Sequence, residues 1–296
     1  MSAGLGAAAT PRFSVGLRVL PLADTTRAIH PPNEPSEPRP LLTYVRYPAL
    51  GAATGTDVRN APAARSYGPF PLVIFGHGFA VTPELYKRLL QAWARAGYVV
   101  AAPVFPLENA NAPGGPDETD LVNQPADMSF VIAAMLAANS ARSGPLRGLI
   151  DPAHIAVTGQ SDGGDTALAL AYNSNFRDPR VSAVIALAAA ELPGVGGFSF
   201  PRGAPPLLAV QGTADTVNPP SLTDAFFAVV QRPKFRLNLL GSEHLPPYSD
   251  QQPQLAIVEG VTVAFLDRYL KRDSGALKRL VSRGNVSGKA VVVAAP

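Results

Sequence analysis

From residue 70 onward, short runs of uniformly apolar residues alternate with stretches in which apolar positions recur every three or four. Residues 72–75, 98–102, 155–158, 181–187 and 207–210 read as apolar strands, and 235–240 as a further strand. Between them, residues 84–96, 126–138, 164–172, 221–230 and 255–270 read as helices. In the first helix Leu85, Leu89, Leu90 and Trp93 fall on one face, and Gly97 supplies the stop. Apolar strands separated by helices predict an α/β fold: a mostly parallel central sheet flanked by helices on both faces.

The first 69 residues follow a different pattern. Residues 15–22 and 41–47 read as strands, and residues 30–40, dense in proline, as an extended loop. Residues 48–69 read as a loop. So does 103–119, which is too rich in Pro, Gly and polar residues to be core. The organisation expected is a single domain, 1–296: an N-terminal β and loop extension (1–69), a core (70–273) and a basic C-terminal tail (274–296). Only 20 residues separate Leu187 from Leu207, which leaves no room for a large cap domain.

Composition narrows the classes. With 16% charged and 47% hydrophobic residues among 296, the chain is globular. The absence of cysteine excludes disulfides, thiolate metal sites and a cysteine nucleophile. The net charge of +3 is uneven: after residue 267 seven Lys/Arg face one acid, Asp273, so the body is mildly acidic. A basic excess confined to a tail is expected to be a solvated helix end, with no nucleic-acid partner. No run of 18 apolar residues is present, so no membrane span is expected. Residues 1–9 lack the basic start and apolar stretch of an intact signal peptide, and a secreted chain trimmed of its leader is preferred over a cytoplasmic one.

The strongest chemical signal is Gly159-Gln160-Ser161-Asp162-Gly163, followed by Gly164. It fits G-x-S-x-G and lies between an expected strand and an expected helix. Such a turn holds a serine hydroxyl clear of the sheet, with glycines where backbone must pass close by. The helix behind it favours developing negative charge. In this architecture the partners follow in the order acid, then histidine. Of His30, His77, His154 and His244 only His244 lies after Ser161, in the loop following strand 235–240. Asp215, at the carboxyl end of strand 207–210, is the chosen acid, since ligand sites in open parallel sheets gather there. Glu191 is the reserve.

An oxyanion hole should combine the amide after the nucleophile, that of Asp162, with one from the Gly76-His77-Gly78-Phe79 loop, that of Phe79. His77 reads as a buttress of that loop. Phe79, Glu191 and Phe198 are the candidate substrate-binding residues, in loops expected to roof an open apolar cleft. Neither H-E-x-x-H nor G-x-G-x-x-G occurs, so no metal and no other cofactor is expected.

The segments VIFGHGF, AGYVVAAPVFP, GQSDGG, QGTADTV and SEHL together resemble the α/β-hydrolase superfamily. The similarity is closest to dienelactone-hydrolase-like esterases, with platelet-activating-factor acetylhydrolases, chlorophyllases and bacterial cutinases as relatives. It covers roughly residues 12–273. It implies a serine esterase with nucleophile Ser161, acid Asp215, base His244 and oxyanion amides at Phe79 and Asp162. The expected activity is cofactor-free cleavage of carboxylic esters through an acyl-enzyme. Substrates would be short-to-medium acyl esters, small molecules or polyesters. Loss of turnover in a binding protein and amidase or peptidase action are the alternatives. Two departures stand out. Gln160 replaces the His or Trp of many relatives, and Asp162 replaces a frequent Met, so its carboxylate is expected to turn toward a donor. The tryptophan that cutinases carry after the sixth strand is absent from AAAELP, which weakens a polyester assignment.

Overall fold

The structure is a computed structural model that describes residues 13–32, 35–53 and 55–296. The segment 1–9, read above for a leader, lies outside the described residues.

Among the described residues ten strands form one sheet. Its central part holds β4 (Phe70–Gly76), β5 (Val99–Pro103), β6 (Ile150–Gln160), β7 (Val181–Leu187), β8 (Leu207–Gly212) and β9 (Lys234–Leu239). These six run parallel in the order β5-β4-β6-β7-β8-β9. The inner strands are largely apolar on both faces because both faces are covered, whereas β9 alternates, burying Phe235, Leu237 and Leu239 and leaving Lys234, Arg236 and Asn238 half-buried. One face places Leu72, Ile74, Val99, Ala101, Ile155 and Val157 against helices α2 (Gln124–Ser140) and α3 (Asp162–Tyr172). The alternate residues, among them Val73, Phe75, Val100 and Ala102, meet helices α1 (Lys87–Arg95) and α6 (Gln254–Leu270). Trp93 of α1 donates its indole N–H to Thr262 Oγ1 of α6 at 2.9 Å, tying that layer together. Helices α4 (Pro220–Val229) and α5 (Pro246–Ser249) follow β8 and β9.

The N-terminal part extends the same sheet. Strands β1 (Ser14–Ile29) and β2 (Glu37–Ala49) form a long antiparallel hairpin, β2 pairs antiparallel with β5, and β3 (Asp57–Arg59) closes that edge beside β1. The loop expected over 30–40 is thus shorter, because β2 runs through Pro38 and Pro40. Leu42, of the same parity, accepts a bond from the Val104 amide, on the side away from β1. Pro38 and Pro40 therefore direct their missing N–H to that side, ahead of the β2–β5 pairing at Thr43–Arg46, where no ladder bond is lost. Arg39 between them is buried and forms ion pairs with Asp120 and Asp127, which fix the hairpin to α2.

Two further expectations need correction, and one segment passes a test that the sequence reading did not apply. Residues 274–296 are no solvated tail: they form α7 (Ala276–Gly284) and β10 (Ala290–Ala295), which pairs antiparallel with β9 and ends the sheet. Ala276 and Leu280, one turn apart, are buried while Lys278, Arg279 and Arg283 take the other faces, so the charge count hid an apolar stripe. The loop 103–119 also contributes to the interior, with Phe105 and Glu108 fully buried. Finally, the stretch Glu118–Ser140 is long and apolar enough, by composition, to cross a membrane. Here it packs on the sheet through Met128, Val131, Ile132 and Met135, with Asp127 buried against Arg39.

Candidate active site

The candidate residues arise from loops at the carboxyl ends of the parallel strands, where β4, β6, β7, β8 and β9 finish side by side: Gly76 pairs with Gly159, Gln160 with Leu187, and Gly212 with Leu239. Ser161 stands between β6 and α3 with φ 54° and ψ −126°, a left-handed conformation that a non-glycine residue holds only when its surroundings impose it. Those surroundings are backbone. A Cβ on Gly163 would sit 2.2 Å from the Gly76 carbonyl oxygen, and one on Gly159 would sit 2.1 Å from Gly163. The Ser161 amide donates to the Leu187 carbonyl, and its own carbonyl accepts from Gly164 and Asp165.

Asp215 follows β8 with its carboxylate fully enclosed. Oδ1 accepts from the Val217 and Asn218 amides at 2.9 Å each, and Oδ2 from the Gln211 side-chain amide at 3.1 Å. Oδ2 also faces His244 Nδ1 at 2.8 Å. The expected acid and base are therefore in contact, whereas the reserve acid Glu191 is exposed in the loop after β7. His244 Nε2 is turned to the Gln160 side-chain amide at 3.2 Å. Among the described residues no hydrogen bond joins Ser161 Oγ to His244.

Phe79 lies in the loop after β4 and is 39% exposed. On either side of it, the Gly78 amide donates to Tyr86 Oη at 3.4 Å and the Ala80 amide to the Glu108 carbonyl at 2.9 Å. The Phe79 amide has no acceptor among the described residues and is free for a ligand. His77 is the expected buttress: fully buried, it contacts the Gly78 carbonyl through Nδ1 and accepts the Phe105 amide at Nε2. Burial holds its pKa down at about 4, so it stays neutral.

Phe198 does not line the site. It forms a bridge with Asn173 beyond the C-terminal end of α3 and packs on the core beside Phe200. Twelve residues at about 1.5 Å each put that end roughly 18 Å from Ser161. The glycine-rich loop bearing Phe198 folds back over α3, so the roof expected from residues 191–203 covers the helix end.

A second carboxyl was missed in the sequence. Burial, followed by the charge of Asp162, pushes Glu108 up to about 10, so it is protonated at neutral pH. Asp162 is also raised by burial, and the Glu108 carboxyl is the leading group that favours its ionised form. The two carboxyls are thus neighbours, and the proton that Glu108 keeps is the one available to the Asp162 carboxylate. Nothing in the pattern of loop 103–119 marks a buried acid.

The fold is an α/β-hydrolase fold, and the loops at its strand ends carry the serine, the histidine and the aspartate described above. The chlorophyllase family model matches residues 60–217, a span that holds Ser161, Asp215 and the loop at Phe79 and ends before His244. The chain belongs to the chlorophyllase family, a group of carboxylic-ester hydrolases. It is 33% identical over 162 residues to a protein of Nocardia uniformis subsp. tsuyamanensis described as "Putative esterase NocK". That alignment covers 54% of this chain and 44% of the relative, so the chain spans under half of the relative's length. A ferulic acid esterase from Streptomyces cinnamoneus has the same fold, with a TM-score of 0.65 at 21% identity, over 90% of this chain and 93% of that one.

Proposed function

We propose that the chain hydrolyses carboxylic esters through an acyl-enzyme on Ser161, with His244 as general base and Asp215 as the group that orients it. The observation that carries this reading is the 2.8 Å pairing of His244 Nδ1 with the enclosed Asp215 carboxylate, beside a serine held at positive φ. In acylation, Ser161 Oγ attacks the ester carbonyl carbon and its proton passes to His244 Nε2. The oxyanion that forms accepts hydrogen bonds from the Phe79 and Asp162 amides. When the intermediate collapses, the C–O bond to the alcohol breaks and the imidazolium protonates the departing oxygen. Water then repeats the sequence, releasing the acid and restoring Ser161. The imidazole must swing from Gln160 to Ser161, in keeping with the loose catalytic contacts of unliganded enzymes.

Asp162 sits beside this hole, and a free carboxylate there would oppose the oxyanion. The proton on Glu108 draws that charge away from the carbonyl site. The same negative charge disfavours acyl groups that carry an anion, so neutral esters of short-to-medium acyl length are the proposed substrates. A panel of p-nitrophenyl esters from acetate to palmitate, with a monosuccinate ester as the anionic member, tests this. Turnover of the neutral esters that disappears in Ser161→Ala supports the reading; turnover that persists in that variant refutes it.

A further inference from the structure

Gln160, the last residue of β6, stands where many relatives carry His or Trp, and its side chain is the one that meets His244. Oε1 accepts the Tyr86 hydroxyl at 2.7 Å. Nε2 lies 3.1 Å from the His244 carbonyl oxygen, which can only accept, so the amide's nitrogen end must face the histidine. The same nitrogen lies 3.2 Å from His244 Nε2. An amide nitrogen donates and does not accept, so the imidazole must present a lone pair there and carry its proton on Nδ1, toward Asp215. That is the tautomer a general base needs. Tyr86 is fully buried, and burial raises its pKa, so it remains a hydroxyl able to donate. It also accepts the Gly78 amide at 3.4 Å, which links the loop bearing Phe79 to the loop bearing His244.

We propose that Gln160 is a positioning residue for the reaction: its side-chain amide, oriented by the Tyr86 hydroxyl, holds the His244 imidazole as the Nδ1–H tautomer and anchors its loop through the backbone carbonyl. The inference rests on the serine-hydrolase reading above. The ring and the backbone of His244 are held by the same nitrogen. When the Ser161 hydroxyl takes the place of Gln160 at Nε2, the bond to the carbonyl keeps the loop in register while the ring moves. Asp215, on the far side of the ring, and Asp162, across Ser161, are the charged groups facing His244 among the described residues. Tyr86 and Tyr248 are the nearby titratable hydroxyls.

The test uses the full chain and p-nitrophenyl butyrate. Gln160→Met keeps length and bulk and removes the donor. The account expects kcat to fall roughly three- to tenfold, the worth of the one net hydrogen bond to the His244 carbonyl that persists while the ring moves, with KM changed less than about twofold. It also expects the acid limb of the kcat/KM profile to move up by about 0.5–1 pH unit, because the neutral imidazole has lost a donor while its charged form has not. Tyr86→Phe should move the limb in the same direction by less. It should add under about twofold to Gln160→Met, since its action on His244 passes through Gln160. A folded, active Gln160→Met with an unmoved acid limb overturns the proposal, and so does a Tyr86→Phe shift that is undiminished in the double variant. Should Gln160→Met not fold, the nearly isosteric Tyr86→Phe decides alone by the same limb. Hydrolysis by the parent chain that survives Ser161→Ala would instead sink the hydrolase reading on which the proposal stands.

Discussion

Replacing Glu108 by Gln should stabilise the fold, and more so as the pH rises. Glu108 ionises at its ordinary value of 4.5 when unfolded and near 10 when folded. Below pH 4.5 it is neutral in both states and contributes no pH dependence. Between 4.5 and 10 the unfolded chain releases the proton and the folded one keeps it, so the folded state loses about 1.4 kcal/mol per pH unit relative to the unfolded one. Above 10 both forms are ionised and the loss levels off. At pH 7 the effect amounts to about 3 kcal/mol, and it grows by on the order of 4 kcal/mol between pH 5 and pH 8. The amide that Glu108→Gln introduces has no acidic proton to release and can still donate to the Asp162 carboxylate. Groups away from this pair titrate alike in both proteins, so the difference between them isolates Glu108 and its coupling to Asp162. Trp93 is the single tryptophan and is fully buried, which makes its fluorescence a direct probe of urea unfolding. Unfolding free energies at pH 5, 6, 7 and 8 should diverge in favour of the variant. A gap that stays constant within about 0.5 kcal/mol over that range would refute the reasoning, because Glu108 would then ionise in the fold as it does in water.

Three further outcomes follow from the site. Asp215→Asn should lower kcat at least 10²-fold with folding preserved, as a neutral orienting group loses the tautomer and the imidazolium stabilisation; the comparable change in another triad costs about 10⁴. Glu191→Gln should change kcat less than about tenfold, and the reverse ranking in steady-state kinetics would reassign the acid. Gly163→Ala should abolish labelling by serine-directed probes, since its Cβ would meet the Gly76 carbonyl oxygen at 2.2 Å and force the turn at Ser161 apart. Retention of labelling in the folded variant would show that the turn tolerates the group.

The parallel core was legible because strands covered on both faces must be apolar throughout, as in LVIF, VVAA and LLAV. The candidates Ser161, Asp215 and His244 came from motif and chain order, and the contact between the last two needed only the positions of strand ends. What escaped depends on tertiary contact. Ala276 and Leu280 read as part of a basic tail until β10 and the sheet edge gave their stripe something to cover. Phe198 read as a pocket wall, but the glycines around it let the loop fold back onto α3. Glu108 lies in a segment without periodicity, so neither its burial nor its neighbour Asp162 could be inferred. Gln160 was noticed as a departure, but its reach to His244 across 84 residues of chain leaves no trace in spacing.

The central claim, that Ser161 is a nucleophile activated by His244, is tested most directly by a fluorophosphonate probe followed by mapping of the modified peptide. The account predicts one adduct, on Ser161, absent from Ser161→Ala and formed at least 10²-fold more slowly in His244→Ala. An adduct on another serine, or labelling whose rate is indifferent to His244, would contradict it.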